Sequence, residues 1–334
     1  MKINQENENQ NKEYLYNYTR RMPHFNEKIQ DIIVSPKIDL IRFSFSKQTN
    51  SISSLNNFFN KLNSITETKS KPLKQYKDGY NHSRIYNIKL NNRNYETILS
   101  ECHNEQYMPY LWVVHDPEKS IMNDLDTYLS LLDQYNINSV EYAFDFSYKN
   151  INELYDFAKR TVLLAWRGKG LHLPYESTYY LNNNYSAWSK AGKIYRKMIP
   201  VGDGNEQEVL RLELTFKYYM FKRIGLKSCL DIMKIKVKDV IKYITWKQFN
   251  FNLFENKLIQ KEYSRQAIDN LLLLFKQDIK NGFLFESNIT ANTYWKSNKY
   301  LKKHVFDNHF KEKFSGKSFW DKEEVYLDSS LIEV

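Results

Sequence analysis

From residue 37 onward, apolar and polar positions alternate in short runs. These are KIDLIRFSF (37–45), SRIYNIKL (83–90), NYETILSE (94–101), YMPYLWVVHD (107–116), SVEYAFDFS (139–147), STYYLN (177–182), KIYRKM (193–198) and VLRLELTFK (209–217). Alternation with period two, rich in β-branched and aromatic residues, predicts strands. Helical spacing appears between them at 53–65, 124–135 and 150–166. NNR (91–93) predicts a hairpin, and GDG (202–204) another tight turn. The order predicts an α+β fold: a central, mainly antiparallel sheet with helices on one face. After 218 the texture becomes helical, with CLDIMKIKVKDVIKYI (229–244), SRQAIDNLLLLFKQDIKNG (264–282, Gly282 as a stop) and ANTYWKSNKYLKKHVFDNHF (291–310). The expected organisation is a flexible polar arm (1–36), a catalytic domain (37–223), a basic helical region (224–317) and a tail (318–334).

In a strand, successive side chains point to opposite faces. Val140, Tyr142, Phe144 and Phe146 therefore share an apolar face, and Glu141, Ala143, Asp145 and Ser147 share the other. In the same way Leu210, Leu212, Leu214 and Phe216 oppose Arg211, Glu213 and Thr215. One side of the sheet is then core. The other collects carboxylates, an arginine and the row Lys193, Tyr195 and Lys197. Wet faces of antiparallel sheets carry charges for no functional reason, so a single strand proves little. The small residues Ala143 and Ser147 leave space beside Asp145, and oxygen ligands from two strands suit Mg²⁺ or Mn²⁺.

Composition adds two constraints. The chain has 334 residues, 42% of them hydrophobic, which is enough for a real core. No apolar run is long enough for a transmembrane helix, and the N-terminus lacks the apolar segment of a secretory signal; neither is expected. Two cysteines, Cys102 and Cys229, build no disulfide framework, and the expected location is the cytoplasm. Net charge is +10. Residues 224–317 hold 18 Lys or Arg against 9 Asp or Glu, so nearly all of the excess sits there. Such a stretch suits phosphate contacts. The abundance of Lys, Asn, Ile and Tyr across the chain weakens any argument from one residue alone.

Free tyrosine is almost un-ionised at neutral pH. Ammonium groups beside it, as Lys193 and Lys197 would be beside Tyr195, and a nearby metal would favour the phenolate. Attack by such a tyrosine on a phosphodiester conserves the bond in a form that can be resealed. A hydrolase would use metal-bound water instead.

The stretches YMPYLWVVHDPEKS, SVEYAFDFS, STYYLNNNYSAWSKAGKIYRK and LRLELTFKYYMFKRIGL, in this order, resemble the gene II endonuclease family of filamentous-phage replication initiators. More distantly they resemble the rolling-circle initiators of small plasmids. The likeness spans roughly residues 37–230, with a fainter echo in TYWKSNKYLKK. It implies a DNA nickase and strand transferase that forms a tyrosine–phosphodiester bond at an origin, with a divalent metal, Mg²⁺ or Mn²⁺. Carried onto this chain, Tyr195 would be the nucleophile, Lys197 its basic neighbour and Arg211 a third catalytic residue. Asp145, Glu213 and Glu141 would be metal-site carboxylates, with His115 a further ligand. The implied partners are single-stranded and duplex origin DNA, with no membrane; a homodimer and a host helicase are further expectations. The pattern departs from the plasmid initiators in one respect. The seven histidines (24, 82, 103, 115, 172, 304, 309) include no pair flanking one apolar residue.

Alternatives stay open. Tyr180 and Tyr185 compete with Tyr195. A regulator on the same fold would bind nucleic acid without chemistry, and an interaction protein would use the wet face without nucleic acid. His115 before Asp116-Pro117 also reads as a turn residue. WRGKG (166–170) reads as a loop closing a helix.

Overall fold

The computed structural model describes residues 32–63, 68–71, 80–90, 93–102, 110–164, 173–175, 178–181, 190–202, 204–280, 301–303, 305–321 and 323–327. The strand run begins with β1 (Ile32–Phe45), β2 (Thr68–Lys71), β3 (Tyr80–Leu90), β4 (Arg93–Cys102), β5 (Tyr110–His115) and β6 (Asn136–Ser147), with α1 (Ile52–Asn63) and α2 (Lys119–Leu129) inserted. Then come α3 (Ile151–Thr161), β7 (Val162–Leu164), β8 (Leu173–Tyr175), β9 (Thr178–Tyr180), β10 (Lys190–Gly202) and β11 (Asn205–Lys217). The C-terminal part holds α4 (Tyr218–Ile224), a 3-10 helix (Cys229–Lys234), α5 (Val237–Ile241), β12 (Ile244–Phe249), α6 (Phe251–Ile259), α7 (Arg265–Lys280), β13 (Leu301–Lys303), α8 (Val305–Lys313) and β14 (Val325–Leu327).

The fold is α+β. An eleven-stranded sheet runs β2-β3-β4-β5-β1-β6-β11-β10-β9-β8, with β14 on β1, and every pairing in it is antiparallel. A small sheet, β13-β12-β7, accompanies it. The two expected hairpins form: β3 joins β4, and β10 joins β11. At the second turn Gly202 and Gly204 take φ of 102° and 77°, a region closed to most other residues.

The apolar face follows the predicted alternation. Tyr142, Phe144 and Phe146 of β6 and Leu210, Leu212, Leu214 and Phe216 of β11 are buried in one core with Ile41, Phe43 and Phe45 of β1. Much of their cover comes from the C-terminal segment. Phe144 meets the rings of Phe310, Phe314 and Phe319 at 5.8–6.0 Å between centroids, and Phe146 stacks on Phe310 at 5.6 Å. The expected boundary at 223 is therefore not a break in the core: an apolar sheet face must be covered, and these aromatics cover it. Likewise the expected tail 318–334 begins inside the fold, because Val325–Leu327 pairs with Ile32–Val34; residues 328–334 lie outside the described residues. That pairing also moves 32–36 out of the expected arm and into β1; residues 1–31 lie outside the described residues.

The expected helix at 229–244 is split. Asp231 accepts from the backbone N–H groups of Lys227 and Ser228, and Asp239 from that of Lys236, so each starts its own short turn. Of the expected helix at 291–310, residues 301–303 form a strand and 305–313 a helix, while 291–300 lie outside the described residues. Helices α6 and α7 pack together and bury Phe251, Phe254, Leu258, Ile268 and Leu272 apart from the main core. Among the described residues, no helix is long and apolar enough to cross a membrane.

Candidate active site on the polar face of the sheet

The polar face is built from β1, β6, β11 and β10 at the centre of the sheet. The register sets Arg211 opposite Asp145 on one side and Tyr195 on the other. It sets Glu213 opposite Ala143 and Lys193, and Thr215 opposite Glu141. All of these side chains share a face, as alternation requires.

Asp39 enters this face through a β-bulge. Ile38 pairs with Tyr142 and Leu40 with Glu141, so Asp39 is an extra residue in β1. Bulges re-aim side chains in this way, often beside active sites. A second irregularity, between Arg42 and Phe43, restores the phase by skipping Asn138.

Arg211 is fully buried. Its Nε and Nη2 donate to the two carboxylate oxygens of Asp145, each at 2.6 Å, and Nη1 donates to Asp39. Burial works against its charge, but the fork on Asp145 and the nearby Asp39 hold the guanidinium firmly protonated. Asp39 is also approached by Lys197 Nζ at 3.7 Å and Lys37 Nζ at 3.7 Å. Burial alone would raise its pKa; Arg211, Lys197 and Lys37 outweigh it and hold the carboxyl below the usual range.

Glu141 and Glu213 form the other half. Glu141 accepts from Arg42, and although burial opposes ionisation, that arginine and the hydrogen bond with Glu213 lower its pKa. Glu213 is 1% exposed. Its pKa is pushed up to about 7, first by burial and then by the negative charge of Glu141, against the pull of Lys193. Two adjacent buried carboxyls resist ionising together. Lys193 Nζ stands 2.7 Å from Oε1 of Glu213 and pairs with it. Oε2 accepts from the Tyr195 hydroxyl at 2.8 Å.

This geometry revises two expectations. Lys193 and Lys197 were expected to turn Tyr195 into a phenolate. Burial, then the charge of Glu213 and the hydrogen bond to it, instead push the tyrosine pKa upward. The ammonium groups are engaged elsewhere: Lys193 pairs with Glu213 and lies 5.3 Å from the Tyr195 ring centroid, and Lys197 leans on Asp39. Asp145 was expected to share a metal with Glu213. They do share the face, but both oxygens of Asp145 are taken by Arg211. The carboxylates that come together are Asp39, Glu141 and Glu213, which offer oxygens within 4.8 Å of one another.

His115 is exposed at the end of β5, opposite Leu40, and is not in that group. Tyr180 sits on the same face one strand out, opposite Lys193. Tyr185 and the loop 166–170 lie outside the described residues. Asp39 and Arg42 were missed from the sequence.

Comparison with known proteins gives no match to any protein-family model and none to a curated protein.

Proposed function

We propose that the chain nicks and rejoins one strand of DNA at a replication origin, through a covalent bond between Tyr195 and a backbone phosphate. The observation that carries this reading is the Tyr195 hydroxyl donating, at 2.8 Å, to a buried carboxyl poised near neutrality. A general base works best with a pKa close to the working pH.

The step follows from the residues. The phenol oxygen attacks phosphorus while its proton passes to ionised Glu213. The bond from phosphorus to a bridging sugar oxygen breaks, and that oxygen leaves as a hydroxyl by taking a proton from solvent water. In the reverse attack the sugar hydroxyl gives its proton to solvent water, Glu213 returns its proton to the departing phenol oxygen, and the strand is resealed. Arg211 stays locked between Asp145 and Asp39 and fixes β1, β6 and β11 relative to each other; it positions, whereas Lys197 and Lys193, which are partly exposed, are the cations for phosphate oxygens.

Asp39, Glu141 and Glu213 would hold Mg²⁺ or Mn²⁺. The fit rests on an all-oxygen donor set from three strands, with oxygens within 4.8 Å of one another. A bound divalent ion would polarise the phosphodiester and neutralise charge building on it. The basic segment 224–317 supplies salt-sensitive affinity for the duplex. The reading places the work in the cytoplasm, with DNA as partner; self-association and a helicase belong to the same proposal.

A second reading, nucleic-acid binding without chemistry, draws on the close match of charges. Arg42, Lys193, Lys197 and Arg211 already neutralise the carboxylates, and Tyr195 is held protonated. Labelled single-stranded DNA, incubated with the full chain and Mn²⁺ and run on a denaturing gel, separates the two. A covalent band that disappears in Tyr195→Phe supports nicking. DNA binding without such a band supports the regulator.

A further inference from the structure

Strands β10 and β11 outrun the sheet they belong to. β9 pairs with β10 only at Lys193–Tyr195, and β6 pairs with β11 only from Leu210 on. Beyond those points the two strands pair with each other alone among the described residues, from Lys197↔Val209 to Gly202↔Asn205. At the base, Arg196 donates to Asn152 of α3 at 2.7 Å. Further out, every described residue from 200 to 208 is exposed. A ribbon of two strands without a third is marginal in water, and this one buries little against the core.

The end of the ribbon is apolar. Met198 is 51% exposed and Val201 52%, and Pro200 between them is exposed too. Val201 sits in a bulge, as the extra residue between Pro200 and Gly202. Gly202 and Gly204 add no side chains there, so the end stays thin. Exposed apolar side chains gathered at one spot mark contact with a partner. Charge says which partner. Lys197, Ile199, Val209, Gln207 and Asn205 share the face of Tyr195, while Glu206 and Glu208 lie on the other, Glu208 at 3.8 Å from Arg196. Past Tyr195 the site-side face of the ribbon therefore carries a cation, two amides and apolar groups, with no carboxylate among its described residues; Asp203, between the two glycines, lies outside them. A polyanion lying across Tyr195 meets nothing on that face to repel it. Val201 is six positions from Tyr195, about 20 Å at the usual rise, or about six nucleotides at a duplex spacing of about 3.4 Å. Met and Pro are among the side chains that proteins insert between base steps to unstack a duplex.

We infer that the end of the β10–β11 ribbon is a wedge that unstacks duplex DNA next to the strand whose phosphate lies at Tyr195. Met198 and Val201 enter the stack, and Gln207 and Asn205 meet the opened strand. The inference rests on the nicking reading for the position of the DNA, but unstacking can be measured apart from chemistry.

The test uses the full chain carrying Tyr195→Phe and a hairpin oligonucleotide with a single-stranded thymidine tail and 2-aminopurine in the stem next to the tail. This base brightens when it leaves the stack; binding is read separately, by anisotropy of a fluorescein label. Bound probe should brighten. Met198→Thr/Val201→Thr, which keeps the strand preference of the ribbon, should lose the rise, while Met198→Leu/Val201→Ile should keep it. In the threonine variant the preference for this probe over plain oligothymidylate should fall about tenfold, because burial of the two apolar side chains exceeds the cost of unstacking by only a small margin. A rise undiminished by the threonines overturns the wedge and leaves the apolar end to a protein partner. Bound probe that never brightens overturns it as well, and so does an absence of binding. If the rise needs Met198 and Val201 but the wild-type chain never forms a covalent band, the wedge stands and the nicking reading falls. A covalent band without the rise keeps nicking and removes the wedge.

Discussion

Replacing Glu213 with glutamine should make the protein more stable at neutral and alkaline pH, and only there. Glu213 binds its proton with a pKa of about 7 in the folded chain, against an ordinary 4.5. Between those two values the native state holds more protons than the unfolded state, so wild-type stability falls as pH rises through the window. The difference of about 2.5 units corresponds to about 3 kcal/mol at pH 8, at about 1.4 kcal/mol per unit. Glutamine keeps an acceptor for Tyr195 and offers a donor to Glu141, yet carries no charge to repel it. Glu141 itself is held low by Arg42 against its burial, so its own contribution is lost below pH 4.5, outside the window. Asp126, raised by burial and by Asp231, affects both proteins equally and cancels in the difference. Urea denaturation of both proteins from pH 4.5 to pH 8 measures this. Equal stability at the acid end and a gain of about 3 kcal/mol for Glu213→Gln at the alkaline end are expected. A difference that stays flat with pH, or a variant that weakens at pH 8, would refute the shared-proton account and with it Glu213 as a poised base.

Further outcomes follow from the same geometry. Arg211→Met strands Asp145 and Asp39 inside the sheet without their cation and should cost about 3–5 kcal/mol in urea unfolding; adding Asp145→Asn should recover part of that, and a cost under 1 kcal/mol would show that the clamp is not structural. Mn²⁺ at a hundred times its dissociation constant should stabilise the wild type by about 2.7 kcal/mol in a thermal melt. Asp39→Asn should lose most of that gain, and an undiminished gain would place the ion elsewhere. Phe310→Ala should cost about 3–5 kcal/mol within a single unfolding transition, whereas a separate second transition would mean that the C-terminal segment folds apart from the sheet.

Much of this arrangement was legible in the residue pattern, and the exceptions have physical causes. The alternation in VEYAFDFS and LRLELTF assigned Arg211, Glu213, Glu141 and Asp145 to one face, because a strand leaves no other choice while its phase holds. What alternation does not carry is register. Nothing in the sequence says that Arg211 stands directly opposite Asp145, and that single offset turns Asp145 from a ligand into an anchor. Asp39 was missed because the phase breaks beside it. Simple alternation puts Lys37 and Asp39 on the face of Ile41 and Phe43, which is the core. The switch from polar to apolar at successive odd positions signalled an inserted residue, and the bulge at Asp39 is that insertion. The joining of 305–327 to the sheet was also invisible locally. Phe306, Phe310 and Phe314 recur at helical spacing, with Phe319 beyond them, and only the bare face of β6 and β11 shows what they cover.

The central claim is that Tyr195 carries the DNA. The most direct measurement is mass spectrometry of the chain after reaction with a short single-stranded oligonucleotide and Mn²⁺, followed by proteolysis and mapping of the nucleotide-bearing peptide. The account predicts one modified site, Tyr195, through a phosphodiester on its phenol oxygen, and no modification in Tyr195→Phe. A nucleotide found on Tyr180 or Tyr185, or a modified peptide that persists in Tyr195→Phe, would contradict it.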